Sequence, residues 1–424
     1  MSCFCIKGRI SGLNGEIDIS GAKNAVLPML SACLLTSSPV VFHGVPRLKD
    51  VETMIALLRS IGVDVRWQSF CSLYLSAKEL DSYIIPLALV RDMRASILVV
   101  GPLLARLGCV EFLEPGGCAI GRRPIDQHIK ALSKMGVIFE CRDNNILGSC
   151  VGLVGTNISF DCVTVTGTEN LIMAAVLADG VTVLNGAACE PEIVDLANCL
   201  NQMGACIYGA GTSTIRIAGV KSLSGVEYSV MPDRIEAGTY LCACAATGGE
   251  VTLRNINHNL LRSVIDVLRA TGCSVREYDS DIISIKSSCK LSGVDIVTAP
   301  YPGFPTDLQA PFMVVDSVAS GSSRIIERIF EGRFAHVCEL QRLGCRISVN
   351  GDTACIEGGS LLRAGAINAT DLRAAAALVI AALCSEGTSV ISNVDFIDRG
   401  YESMPEKLSL LGACVERMVM EACI

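Results

Sequence analysis

LRSIGVDV, residues 58–65, reads as the last turn of a helix, a glycine and the start of a strand, and the chain writes it six times. The other copies are LSKMGVIF (132–139), LNQMGACI (200–207), LRATGCSV (268–275), LQRLGCRI (340–347) and LSLLGACV (408–415). The glycines stand at 62, 136, 204, 272, 344 and 412, at intervals of 74, 68, 68, 72 and 68. A Leu precedes each glycine by four residues, and an apolar residue follows it by three. A helix with Leu on its inner face, stopped by a glycine and followed by a strand, predicts this spacing.

Working outward, a second and more apolar helix precedes each copy. The six are AKNAVLPMLSACLL, MRASILVVGPLLARL, TENLIMAAVLA, RIEAGTYLCACAA, DLQAPFMVVDSVA and DLRAAAALVIAALC. They are apolar nearly all round, which predicts burial. A short strand follows each one. Several are preceded by a strand with a shared opening, as in LNGEIDI, LSGVEYSV and LSGVDIV, while the second unit carries ELDSYIIPLALV in that place. The unit is therefore βαβαββ, about 70 residues long, in six copies.

One core does not hold six such units, so three per domain is the natural grouping. The fold class is α/β (α+β): a two-domain, inside-out α/β barrel with helices buried and sheets outside. The expected domains are 21–229, with the first three units, and 1–20 plus 230–424, with the last three. The opening strands are expected to complete the sixth unit, which lacks one.

The 424 residues are 50% hydrophobic, 18% charged and only 5% aromatic, so the core is built from small and aliphatic side chains. The net charge of −8 argues against nucleic acid as a partner. No apolar run reaches the roughly 18 residues of a membrane helix. The start, MSCFCIKGRI, has no long apolar core, so no signal peptide is expected. Among 22 cysteines there is no C-x-x-C pair, and four His stand apart at 43, 128, 258 and 336, so no metal is expected. The location expected is a reducing cytoplasm, with most thiols buried. Neither a P-loop nor a glycine-rich Rossmann turn is present, and no cofactor is expected.

The apolar helices carry polar residues at their N-terminal ends: Lys23–Asn24, Arg94, Glu169–Asn170, Arg234–Glu236, Asp307–Gln309 and Asp371–Arg373. Carboxylates there suffice as caps. Cations sit at the unfavourable end of the helix dipole, so Lys23, Arg94 and Arg373 call for an anionic ligand. Arg122–Arg123, Arg333 in FEGRF and Arg399 in FIDRGYE extend the cationic set. The loop EPGGCAIGRRP, 114–124, places Cys118 among glycines and beside two guanidiniums. A cysteine among 22 is by default a packing residue; this setting favours a thiolate and a nearby anion. Pro124 then precedes a helix expected from Ile125 to Lys134.

Together SGAKNAVLP (20–28), RASILVVGPLLAR (94–106), PGGCAIGRRPID (115–126), EPEIVDLAN (190–198), PDRIEAGT (232–239), FPTDLQ (304–309), ATDLRAAAAL (369–378) and FIDRGYE (396–402) carry a resemblance. From about Ile6 to Met418 the chain resembles the enolpyruvyl transferases, in the branch acting on a sugar nucleotide. The resemblance implies transfer of the enolpyruvyl group of phosphoenolpyruvate to the 3′-hydroxyl of UDP-N-acetylglucosamine, with loss of phosphate. It implies Cys118 as the acid that protonates the methylene carbon. Lys23, Arg123 and Arg399 would hold phosphate and carboxylate, with Asn24 nearby. Asp307 would take the hydroxyl proton, and Asp371 competes for that role. Arg94, Arg123, Pro124, Ile125, Asp126, Gln127, Thr164, Val165, Thr166, Gly167 and Ile329 match sugar-nucleotide positions. A partly ionised Cys118 should also be alkylated by an epoxide such as fosfomycin.

Partners other than the two substrates are not implied, and a monomer is expected. The chain departs from the family pattern at Thr166–Gly167 (usually Gly-Ala), Cys162 (often basic), Cys189 (usually Arg) and Gln127 (usually Leu). These departures keep a different (nucleotide) acceptor as the alternative reading.

Overall fold

A computed structural model describes residues 2–8, 11–86, 88–89, 93–113, 125–142, 145–288 and 290–419. Cys118, Arg122, Arg123 and Pro124 lie outside the described residues. The chain divides into two compact units. One runs from Gly21 to Met231 apart from the segment 114–124. The other joins the opening residues up to Ser20 with those from Pro232 onward.

All six glycine stops close alike. Gly62, Gly136, Gly204, Gly272, Gly344 and Gly412 have φ between 89° and 103°, where a side chain is strained. The next residue donates its N–H back to the carbonyl of the repeat Leu: Val63 to Leu58 at 3.0 Å, Ala205 to Leu200 at 2.9 Å, Cys345 to Leu340 at 3.1 Å. The glycine donates one residue further along, as Gly204 to Asn201 at 3.0 Å. This is the Schellman closure, which satisfies carbonyls that a helix end leaves orphaned. The Leu side chains are at most 1% exposed. In four units the side chain after the Leu also reaches the following strand, as Arg269 does to the Val275 carbonyl at 3.0 Å.

The apolar helices are Lys23–Ala32, Val100–Leu107, Val165–Ala175, Arg234–Thr247, Gln309–Val318 and Leu372–Cys384. Every residue of Arg234–Thr247 is buried. In that unit this helix packs against Gln309–Val318 and Leu372–Cys384. Two separate cores result, one per unit.

Among the described residues six sheets cover these helices, and five of them hold a parallel pair extended by antiparallel strands. In the third unit Asn157–Ser159 runs parallel to Val181–Asn185, which pairs with the hairpin Cys206–Tyr208 and Thr214–Ala218. The second unit reduces its parallel strand to a single bridge, Ile84 to Glu111, so that sheet has three strands. That accounts for the divergent ELDSYIIPLALV.

Two strands do not sit where their sequence neighbours suggest. Leu13–Asp18 precedes the first apolar helix, yet it pairs with Gly249–Arg254 in the fourth unit's sheet. Glu227–Ser229 precedes the fourth helix, yet it pairs with Val40–His43 in the first. Of the opening strands only Ser2–Lys7 completes the sixth sheet, between Thr388–Ser392 and Cys414–Val419. The expectation that most thiols are buried also needs correction. Of the described cysteines, those at 3, 33, 199, 242, 244, 273 and 345 are buried, whereas 71, 141, 162, 338, 355 and 414 are exposed. Outward strand positions and loops accept Cys as readily as the core does.

Candidate active site

In the unit that contains Pro232–Val419, three of the expected residues meet. Arg333 donates to Asp307 Oδ1 at 2.6 Å, and Arg373 Nε approaches the same oxygen at 3.3 Å. Both guanidiniums are about 5% exposed. Asp307 lies in the 3-10 turn Thr306–Leu308 that opens the fifth apolar helix, and Arg373 lies in the first turn of the sixth. Burial works against the charge of Arg373. Tyr401 and Asp307 outweigh it and hold the guanidinium protonated, and the Tyr401 ring lies 5.3 Å from it. Tyr401 is fixed in turn by a 2.9 Å hydrogen bond with Thr239. Nη1 of Arg373 is buried without a hydrogen-bond partner among the described residues.

A second layer orders Arg333. Its Nη1 donates to Thr306 Oγ1 at 2.8 Å, and that hydroxyl donates to Glu327 at 2.9 Å. The other Glu327 oxygen accepts the N–H of Ile329 at 2.8 Å, of Phe330 at 3.1 Å, and the Thr298 hydroxyl at 2.9 Å. Glu327 is 3% exposed and organises the turn that carries Ile329 and Arg333. The sequence reading missed it; a lone Glu after a strand carries no signal.

Asp371 behaves differently. Its Oδ1 accepts the N–H groups of Arg373 at 2.9 Å and Ala374 at 3.0 Å, capping the sixth apolar helix. Asp233 caps the fourth in the same way. His336, 2% exposed, is held neutral mainly by burial, its pKa pushed down to about 4. Arg399 ends the 3-10 turn Val394–Arg399 and is half-buried.

The Gly21–Met231 unit holds the remaining described candidates. Lys23 opens the first apolar helix and pairs with Asp50 at 2.5 Å, the lysine side chain 13% exposed and the carboxylate 6%. Asp50 sits in the first turn of Lys49–Ser60, where a carboxylate suits the helix dipole. It went unread in sequence because it lies far outside the matched motifs. Asn24 and Arg94 are half-buried at the openings of their helices.

Thr164 caps Val165–Ala175 by accepting from Gly167 N–H at 3.2 Å, and Thr166 stands in that first turn. Ile125 is buried and Asp126 opens the helix Asp126–Lys134. The Gln127 amide is spent on protein: it accepts the Asp161 N–H at 2.8 Å and donates to the Cys162 sulfur at 3.0 Å. Gln127 and Cys162, two positions where the chain departs from the pattern expected of the resemblance, thus contact each other. Cys189 is half-buried, and burial raises its thiol pKa, so it is no cationic substitute for Arg.

Repeated βαβαββ units with charged groups at the mouths of buried helices define one class of protein. Residues 8–408 match the family described as EPSP synthase (3-phosphoshikimate 1-carboxyvinyltransferase). The chain belongs to this family of enolpyruvyl transferases.

Within it, the chain is 50% identical over 406 residues to the UDP-N-acetylglucosamine 1-carboxyvinyltransferase of Dichelobacter nodosus, covering 96% of this chain and 97% of that one. The protein of the same name from Magnetococcus marinus matches with the same identity and coverage. Among solved structures, the enolpyruvyl transferase NikO from Streptomyces tendae shares the fold at TM-score 0.89, with 23% identity over 99% of both chains. EPSP synthase from Acinetobacter baumannii does so at TM-score 0.75 and 17% identity, covering 99% of this chain and all of that one.

Proposed function

We propose that this chain transfers the enolpyruvyl group of phosphoenolpyruvate to the 3′-hydroxyl of UDP-N-acetylglucosamine and releases phosphate, a step of peptidoglycan synthesis in the cytoplasm. The observation that carries the proposal is half identity, over nearly the whole of both chains, to relatives named for that activity.

The chemistry divides between an acid and a base. Cys118 protonates C3 of phosphoenolpyruvate, leaving positive charge at C2. Asp307 takes the proton of the 3′-hydroxyl as its oxygen bonds to C2. Loss of a C3 proton and of phosphate then restores the double bond. Each proton transfer contributes on the order of 10²- to 10⁴-fold. Asp307 is the preferred base over Asp371 because Asp371 is committed to two backbone N–H groups. Lys23, Arg123 and Arg399 hold the phosphate and carboxylate, cations suited to such anions. Arg94, Ile125, Asp126, Thr164, Val165, Thr166, Gly167 and Ile329 contact the sugar nucleotide. The enzyme is proposed to act as a monomer.

Phosphate release should require both substrates together; release from phosphoenolpyruvate alone, or none at all, overturns the proposal. Cys118→Ala should lose activity at neutral pH while Cys118→Asp keeps it, since a carboxylic acid can also donate the proton.

A further inference from the structure

Asn170 stands where three elements of the Gly21–Met231 unit meet. It is fully buried in the helix Val165–Ala175. Its Oδ1 accepts the N–H of Gly101 at 2.7 Å. That N–H lies where the 3-10 turn Arg94–Val99 passes into the helix Val100–Leu107. A Cβ at Gly101 would lie 2.4 Å from the Asn170 carbonyl oxygen and 2.6 Å from Oδ1, so only glycine permits the approach. On its other side, the Asn170 Nδ2 lies 3.1 Å from Nδ1 of His128, which is 3% exposed on Asp126–Lys134. The far ring nitrogen, Nε2, lies 3.5 Å from Thr166 Oγ1.

The proton positions follow from donor and acceptor chemistry. A backbone N–H only donates, so the Asn170 oxygen must face Gly101. The amide nitrogen only donates, so His128 Nδ1 must accept. The imidazole is then neutral, with its proton on Nε2, directed at Thr166. The Thr166 hydroxyl, accepting the hydrogen bond from that N–H, is left to donate its own proton.

We infer that Asn170 is a positioning residue for sugar-nucleotide binding: through His128 it orients the Thr166 hydroxyl as a donor toward an acceptor oxygen of the nucleotide. This rests on the proposed function, which places Thr164–Gly167 against that substrate. The groups bearing on His128 agree with the neutral form. Burial and Arg94 push its pKa down to about 4, and Asp126 opposes them.

Two measurements test the inference. In ¹⁵N spectra of the wild-type chain, which has only four histidines, His128 should show the neutral Nε2–H tautomer from pH 5.5 to 8. An Nδ1–H tautomer, or titration near the ordinary 6.5, overturns it. In steady-state kinetics, Asn170→Asp should reverse the polarity, since a carboxylate requires a proton on Nδ1. The KM for UDP-N-acetylglucosamine should rise about tenfold and become pH-dependent, the loss expected for a hydrogen bond to a charged group. The kcat and the KM for phosphoenolpyruvate should change less than about threefold on the same reasoning.

Equal damage to both KM values, or a fall in kcat alone, marks a merely structural residue and overturns the inference. If Asn170→Asp does not fold, the wild-type spectra decide. A wild-type chain with the expected tautomer but no turnover of UDP-N-acetylglucosamine refutes the proposed function instead.

Discussion

The two units share a scaffold and differ at the mouths of their buried helices. In the unit containing Pro232–Val419, two of the three apolar helices start under an aspartate cap, Asp233 and Asp371. The buried Arg373 is answered there by Asp307 and Tyr401. In the Gly21–Met231 unit, among the described residues, only Thr164 caps such a helix by its side chain, and Lys23 is answered by Asp50 from another helix. The Schellman glycines, by contrast, are the same in both. Repetition preserves what holds a unit together; the charged mouths have diverged, and that is where binding and chemistry are expected.

The comparison breaks first if chemistry does not reside at those mouths. Asp307→Asn should lower kcat by about 10³-fold, the loss of a general base. Asp371→Ala should instead cost about 1 kcal/mol of stability as a lost cap, with a much smaller loss of kcat. The reverse ranking would make Asp371 the base.

Next in size, Asp50→Ala should destabilise by about 3 kcal/mol, since it removes a buried carboxylate paired with the half-buried Lys23. Pairing it with Lys23→Met should restore the melting temperature but not activity, which separates fold from function in the Gly21–Met231 unit.

A pH effect sharpens the contrast in the other unit. Asp316 is fully buried on Gln309–Val318, and burial lifts its pKa to about 7 from 3.8. The folded state therefore holds a proton that the unfolded chain has released, so this group's contribution to stability falls as pH rises from about 4 through 7. His128 and His336, both pushed down to about 4, act oppositely up to their ordinary 6.5. Asp316→Asn isolates the carboxylate: the variant should gain about 2 kcal/mol over wild type at pH 8 and little at pH 4.5, by denaturant unfolding.

Smallest is the shared scaffold itself. A Cβ at Gly204 or Gly412 would meet nothing within 4 Å, so alanine there reports backbone strain alone. Each should cost about 1 kcal/mol, alike in the two units, without changing kcat. A cost confined to one unit would show that the repeats are not equivalent.

The repeat was legible because its physics is local. A helix stop needs a residue at positive φ one step past the last turn, and an inward Leu one turn earlier, so glycine and leucine recur at fixed spacing. Candidate residues such as Asp307 and Arg373 were legible as charges at the ends of apolar helices, and Arg333 as a cation in the FEGRF turn. Their partners were less so. Asp50, Glu327 and His128 lie in segments whose patterns carry no mark of the contact, because those hydrogen bonds join residues distant in the chain.

By itself, then, the order of amino acids determined six βαβαββ units, their buried helices and the family to which the chain belongs, all set by short-range spacing and motif. Only the tertiary structure decided that Leu13–Asp18 and Glu227–Ser229 each complete a sheet far along the chain, and that Asp371 serves as a cap while Asp307 sits between two guanidiniums. Strand partners and charge partners are chosen by the free energy of closing sheets and compensating buried charge, and that choice exists only once the helices have packed.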